Sequence, residues 1–404
     1  MSKNIERSFH QLLAYCEQEQ FKGYDPYDGL NSRLFQGLPL VPRSRLARLI
    51  WIQWFKRSPF NMRGIVGIKK EYNPKALGLF LSSYCNLYHL SDTKAEKDAN
   101  LEKIQFFCQK IMEASSTGYS GACWGYNFDW ESRAFFQPKF TPTIVASSFI
   151  ANALLDAYEI LKTDSLLQTA RSTCDFILKD LNRTTDAEGN FAFSYSRLDK
   201  SVVFNASLLG SKLLSRVYGF SKEKLLIDAA RQSVAYCCSF QREDGSWSYG
   251  TYSFHQWIDN FHTGYNLECI EAYTRFSGDN SFQRYVDKGF EYYIKTFFTQ
   301  DGIPKYYNNS VYPIDIHAPA QLVITLASLN KFEEYKVLLD KVLHWTIAHM
   351  QDKRGYFYYQ INKYFSSRIA YMRWSQAWMF HALSTYIVEE KKLKKTTLAH
   401  ENLV

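Results

Sequence analysis

The sequence predicts an all-α fold: six helical hairpins closed into an (α/α)6 toroid of inner and outer helix rings, with short β-like loops and an N-terminal extension. Three observations support it. A polar-aromatic loop recurs at Trp124-Gly125-Tyr126, Phe191-Ala192-Phe193, Asp244-Gly245-Ser246-Trp247, Asp301-Gly302-Ile303 and Gly355-Tyr356-Phe357. Equivalent apolar segments recur roughly 55 to 67 residues apart, the period of stacked supersecondary units. The segments also alternate in character. The stretch from Ile144 to Leu155 is apolar or small nearly all round, as a helix contacted on every side must be, whereas Lys222 to Cys238 carries charge on one face.

In chain order, residues 5–20 read as a short amphipathic helix, and 21–42 as a loop rich in Gly, Pro, Asp and Tyr without helical period. Outer and inner helices then alternate: 44–57 with 74–90, 97–114 with 141–158, 165–181 with 203–217, 222–240 with 260–276, 280–298 with 315–329, and 331–350 with 371–387. Small residues such as Ala206, Gly210, Gly264, Ala320 and Ser375 let inner helices approach closely. The expected organisation is an extension over 1–43, a toroid over 44–390 and a basic polar tail over 391–404. Gly125, Gly189, Gly245, Gly302 and Gly355 read as turn formers rather than phosphate loops.

Of the 404 residues, 17% are aromatic, more than a core needs, and Tyr is amphipathic, so the excess is expected to line a wet cavity. The formal charge of +8 reads as modest and spread along the chain, favouring anionic ligands without implying nucleic acid. The run from Lys391 to Lys395 reads as a solvated tail. The eight Cys lack metal-ligand spacing and read as small buried hydrophobes of a reducing compartment. No charged-then-apolar leader opens the chain, and no apolar run reads as long enough to cross a bilayer, so a cytoplasmic location is expected.

Asp129, in Phe128-Asp129-Trp130, is either an acid between aromatic walls at the funnel mouth or a loop residue capping backbone amides. Asp259 lies just before an apolar inner helix, where it serves either as N-cap or as acid, with Trp257, His262 and Tyr265 close by. Asp315 and His317 open the fifth inner helix, Asp315 as cap or ligand group, His317 facing the funnel or a neighbouring helix. Arg373 and Trp374, at the sixth, offer a guanidinium for a substrate carboxylate or an ion pair to Asp315 or Asp259. Asn205 can bind a hydroxyl or cap its helix. Trp124, Tyr126, Trp130, Trp247 and Tyr249, with Tyr195, Tyr306, Tyr307, Phe357 and Tyr359, recur at matching repeat positions, either stacking on sugar rings or wedging hairpins apart. No metal site and no cofactor is expected.

With six such hairpins, the chain resembles the six-hairpin glycosidase superfamily, which includes unsaturated uronyl hydrolases, sugar epimerases and the toroid domains of polysaccharide lyases and glucuronyl C5-epimerases. Gln256-Trp257-Ile258-Asp259-Asn260-Phe261 is similar to the motif carrying the catalytic Asp of the uronyl hydrolases, which implies Asp259. Gly23-Tyr24-Asp25-Pro26-Tyr27-Asp28-Gly29-Leu30-Asn31 and Trp124-Gly125-Tyr126-Asn127-Phe128-Asp129-Trp130 resemble uncharacterised bacterial proteins of capsule or O-antigen loci. Gln241 to Trp247 is similar to a motif of triterpene cyclases, but their Asp-rich protonating segment is absent.

The expectation is a carbohydrate-active enzyme working on an oligosaccharide or polysaccharide intermediate, uronate-containing and hence anionic, in bacterial surface polysaccharide metabolism. In its hydrolase form Asp259 or Asp129 supplies the acid, assisted by His262 or His317. In an epimerase or lyase form a Tyr or His abstracts a proton and Arg373 steadies the enolate. A terpenoid cyclase or prenyltransferase and a non-catalytic glycan-binding scaffold are the alternatives. No nucleic-acid partner is expected, and the oligomeric state is not legible.

Overall fold

The computed structural model describes residues 2–133 and 135–401; residues 402–404 of the expected tail lie outside the described residues. Six inner helices, α4 (Pro74–Leu90), α6 (Ile144–Leu161), α8 (Phe204–Ser221), α10 (Asn260–Ser277), α12 (His317–Ser328) and α14 (Ala377–Glu401), each pack on the next, and α14 packs back on α4. That contact closes the ring. Outer helices α5 (Lys94–Glu113), α7 (Asp164–Asp180), α9 (Lys224–Cys238), α11 (Gln283–Phe297) and α13 (Lys336–Met350) each return along the inner helix before them.

The sixth outer helix is α1 (Ser2–Gln18), which packs on α14 and α13. This corrects the expected pairing of 44–57 with 74–90. Only a few residues separate each inner helix from the outer helix after it, as between Leu161 and Asp164, whereas long excursions lead from each outer helix to the next inner one. The hairpins therefore run inner to outer, and the last inner helix finds its partner at the start of the chain.

A repeated hydrogen bond fixes the register. The first amides of successive inner helices donate to Tyr carbonyls in the next loop round the ring: Ile144 to Tyr195 at 3.0 Å, Phe204 to Tyr249 at 3.3 Å and Asn260 to Tyr306 at 2.9 Å. Ile316 donates to Tyr359 at 3.2 Å and Met372 to Tyr24 at 3.1 Å. Helix-start amides have no partner within their own helix, so each loop satisfies one and is drawn to the axis in return. Tyr24 completes the series, which makes the segment around it the sixth loop.

The loop tryptophans face outward. Trp124 Nε1 donates to the Ile111 carbonyl at 2.8 Å and Trp247 Nε1 to Cys237 at 3.0 Å, each a carbonyl in the last turn of the preceding outer helix. The turns need glycine for two different reasons. Gly245 sits at φ 91°, where a Cβ is strained. At Gly125 a Cβ would lie 2.2 Å from the Thr141 carbonyl oxygen.

α3 (Arg45–Arg57) lies over the end where the inner helices start, and α2 (Arg33–Gln36) packs on it through Phe35 and Trp51, ring centroids 5.0 Å apart. Arg48 of α3 pairs with Glu131 at 2.7 Å, Trp51 Nε1 donates to Gly29 at 3.0 Å, and Lys56 Nζ donates to Tyr27 Oη at 2.9 Å. Residues 33–70 hold nine Lys and Arg and no Asp or Glu, against a net +8 for the whole chain, so the charge is concentrated here rather than spread. Two further expectations change. α6 is long and apolar enough by composition to span a bilayer, yet it is an inner helix packed between α4, α7 and α8. α14 continues as helix through the basic run to Glu401 instead of ending at 387.

Candidate active site

Because the inner helices are parallel, their starts converge on one end of the axis and line a cavity of about 1220 Å³. Every inner helix start reaches it: Lys75 from α4, Val145 from α6, Asn205 from α8, His262 from α10, His317 from α12, and Arg373 and Trp374 from the π-helical turn Met372–Gln376 leading into α14. Six helix dipoles therefore point their positive ends into the pit, and α3 forms part of its rim.

Asp259 caps α10. Its Oδ1 accepts from the His262 amide at 3.0 Å, while Oδ2 accepts from Trp257 Nε1 at 3.0 Å and meets His262 Nδ1 at 2.7 Å. The carboxylate is buried and lies behind the cavity wall. Its cap and charge roles are thus one arrangement: the Asp that starts the helix also holds the imidazole through Nδ1, leaving Nε2, on the ring that lines the pit, without a partner among the described residues. Trp257 stacks on Tyr249, centroids 4.5 Å apart, and walls this corner.

His317 and His262 flank the same two side chains. Their rings lie 4.3 and 4.2 Å from Phe261, and each is 5.9 Å from Tyr265. His317 Nε2 is 2.6 Å from Tyr265 Oη, and its Nδ1 is buried without a partner. Burial, then the positive groups Lys75, His262 and Arg373, hold His317 well below the usual imidazole range, so it is neutral. Burial pushes the Tyr265 hydroxyl well up, so it is a phenol.

Arg373 is in the pit wall, but its expected partner is different. It forms a bidentate pair with Asp25, from the Gly23–Asn31 motif, and lies 4.9 Å over the Tyr126 ring. Asp28 of the same motif holds Arg63 at 2.6 Å, and Arg63 in turn donates to the Asp25 carbonyl. Asn31 donates to the Asn127 carbonyl at 2.9 Å, joining the two motifs. Arg373 is therefore not free to take a substrate carboxylate with two parallel bonds, because geometry commits Nε and Nη2 to Asp25.

Five expected site residues do not line the pit. Asp129 accepts from the Lys139 amide at 2.7 Å, since the Lys139 turn folds back on it. Trp124 and Trp247 clasp outer-helix ends as described. Asp259 stands behind His262. Asp315 is fully buried, accepting from the His317 amide, Gln360 Nε2 and Trp374 Nε1, the last at 2.9 Å; it aims Trp374 rather than meeting substrate. Burial pushes its carboxyl up to about 6. Tyr126, Trp130, Asn205, Tyr249, Trp257, Tyr265, His262, His317, Arg373 and Trp374 do line it. Asn205 Oδ1 has no protein partner, so its capping role is not realised.

Lys75, Asp199 and Lys56 are among the lining groups that escaped the sequence reading. Lys75 follows Pro74 at the start of α4 and is 4% exposed, with Nζ 4.1 Å over Phe149. Only the alignment of helix starts marks it out. Asp199 sits on the wall, accepting from Ser201 and Tyr195, and burial raises its carboxyl. Lys56 enters from α3; burial alone would lower its ammonium, but Tyr27, Tyr307 and Asp315 hold it above its ordinary value. Among the described residues no group of three or more His, Cys, Asp or Glu could hold a metal ion.

Neither a protein-family profile nor any curated protein matches the sequence. Solved structures do. The chain is similar to cellobiose 2-epimerase from Bacillus thermoamylovorans, with a TM-score of 0.62 at 13% identity, over 79% of this chain and 88% of that one. It has the six-hairpin glycosidase-like toroid fold. The GH76 α-mannanase of Bacteroides thetaiotaomicron aligns with a TM-score of 0.61 at 12% identity, covering 80% and 88% of the two chains. An unsaturated glucuronyl hydrolase specific for heparin aligns at 0.59 and 12% identity over 96% of this chain and 97% of that one.

Proposed function

We propose that this toroid is a carbohydrate-active enzyme that moves a proton at a sugar carbon beside a carbonyl or carboxylate, as sugar epimerases and lyases do. The observation that carries this reading is the pair of imidazoles, His262 and His317, flanking Phe261 and Tyr265 in one pit while Asp259 and Asp315 are spent behind the wall. His262, held through Nδ1 by Asp259, presents Nε2 as base. The electron pair left on carbon moves into the carbonyl, and the positive helix starts steady the oxyanion. The Tyr265–His317 pair returns a proton from its own side, giving the epimer; loss of a β-substituent instead gives elimination. That the similar folds include a cellobiose 2-epimerase and a glucuronyl hydrolase supports a saccharide in the aromatic pit.

Incubation in D2O with reducing disaccharides and uronate-terminated oligosaccharides, followed by NMR, tests it. Deuterium is expected at the carbon next to the carbonyl or carboxylate, and His262→Asn should abolish its entry. No exchange with any of them, with new reducing ends instead, would point to the second reading, hydrolysis. That reading has one observation behind it: Asp199 is a wall carboxyl made more basic by burial, as a general acid must be. Tight glycan binding without turnover would mark a scaffold.

A further inference from the structure

Lys75 is a buried amino group without an anionic partner among the described residues. It is 4% exposed, its Nζ stands over Phe149 at 4.1 Å, Trp378 at 5.1 Å and Tyr265 at 5.7 Å, and among the described residues no carboxylate lies within ion-pair distance of it. These rings, from α6, α14 and α10, back the ammonium on the axis. The charged groups around it are Arg373, Asp25, Glu268 and, through the shared Tyr265, His317 and His262. Asp25 is bound to Arg373 and Glu268 to Lys212, so neither is available to neutralise it. We propose that Lys75 is the receptor for a single negative charge on the substrate, the carboxylate of a terminal uronic acid that enters the pit first. This rests on the saccharide reading and narrows its substrate class. A monoanion fits because the single positive charge that Lys75 gains with its proton balances it; a phosphate dianion would leave charge unbalanced in a buried site. With the carboxylate at Lys75, the adjoining sugar carbons lie beside Tyr265 and His317.

The consequence is proton uptake. Burial and Arg373 hold the free ammonium well below the ordinary lysine range, and an arriving carboxylate restores the proton. Affinity for a uronate should therefore fall as pH rises above the depressed value, by about tenfold per pH unit within that window, while a neutral sugar shows no such slope. Calorimetry with the methyl glycosides of glucuronic acid and glucose, in phosphate and in Tris, reads both effects on the unaltered protein. Preference for the uronate of at least about tenfold, with buffer-dependent heat showing a proton bound, is expected, and Lys75→Met should erase the preference while glucoside binding remains. Equal affinity for the two sugars, or uronate binding without proton uptake, overturns the proposal. Glucoside binding with uronate indifference would leave the saccharide reading intact, whereas binding of neither would sink both. Tighter binding of glucose 6-phosphate than of the uronate would also overturn it.

A second observation stands apart from the pit floor. The rim segment 33–70 has nine basic and no acidic residues and exposes large apolar side chains: Leu46 at 67%, Ile50 at 60%, Phe60 at 75% and Ile65 at 81%. Arg33, Arg43, Arg45 and Arg57 are exposed among them. Arg45 pairs with Glu131 at 3.5 Å, but Arg33, Arg43 and Arg57 have no carboxylate partner among the described residues; apolar side chains ringed by such arginines match an anionic lipid surface, into which the former insert while the latter meet headgroups. We infer that α2, α3 and the loop to Lys70 dock the pit mouth on an anionic bilayer. Flotation with vesicles of phosphatidylglycerol and phosphatidylcholine at 0.15 M salt should carry the protein, and pure phosphatidylcholine should not. Leu46→Glu/Ile65→Glu, both exposed and outside the cavity, should reduce flotation at least about tenfold. Equal flotation with both vesicles, none with either, or retained flotation of the double variant would overturn the inference, as would displacement to RNA at equal phosphate concentration.

Discussion

Asp25 and Arg373 stand 348 positions apart in the chain and meet in a buried bidentate pair, Oδ2 to Nε at 2.5 Å and Oδ1 to Nη2 at 2.8 Å. The pair ties the sixth loop, carried by the N-terminal segment, to the start of the last inner helix. Ring closure and pit wall are thus secured by the same two side chains. Removing one partner leaves a buried charge, so Arg373→Met alone should cost about 3–5 kcal/mol in chemical denaturation. Asp25→Leu combined with Arg373→Met should recover part of that loss. A single variant as stable as the parent would mean the pair does not close the ring.

Asp259→Asn separates the two duties of that side chain. Its amide oxygen still caps the His262 amide, but its Nδ2 faces the Trp257 Nε1 donor and loses that bond, so stability should fall by about 1–3 kcal/mol with the fold retained. The amide nitrogen, however, now donates to Nδ1 and forces the imidazole to carry its proton on Nε2, where a base is needed. Turnover in the deuterium-exchange assay should fall by roughly 10² to 10⁴. Unchanged turnover would remove Asp259 from the machinery.

Asp315 makes a pH prediction. Its carboxyl is raised to about 6 in the fold from 3.8, so the native state binds the proton more tightly. The stability it contributes is full below pH about 4 and is lost as pH rises through about 6. Asp315→Asn keeps the acceptor for Trp374 and the His317 amide. It should flatten that fall and raise stability at pH 7 by about 3 kcal/mol at most. Denaturation curves at pH 4 and pH 7 check this; a variant weaker at both shows that the carboxylate form is the one the fold needs.

Trp124 should behave as a clamp and Asp129 as a turn residue. Trp124→Phe loses the bond to the Ile111 carbonyl and should cost about 1–3 kcal/mol without changing saccharide affinity. Asp129→Ala should stay within about 1 kcal/mol in stability and leave turnover intact. Loss of sugar binding in either would return them to the site.

Much of the ring could be read without coordinates. Residues such as those of Ile144–Leu161 are apolar all round only if surrounded, and the recurring loops count the repeats. The Asp259 cap and the neighbourhood of His262 were also legible, because a cap and the residues of its first turn are local. The circular closure was not. The helix of 44–57 precedes 74–90 in sequence and is amphipathic, which satisfies every local criterion for an outer helix, yet α1 occupies that position.

What the chain alone determined is the period, the alternation of inner and outer segments, and the helix starts that carry His262, His317 and Arg373, since helical pattern and capping depend on residues a few positions apart. Tertiary structure decided which carboxylates are spent. Asp25 reached Arg373, Asp315 took Trp374, and Asp129 turned to its own loop, leaving Lys75 unpaired in the pit. Pairing of charges depends on which groups are brought within a few ångströms and shielded from water, and only the closed ring does that.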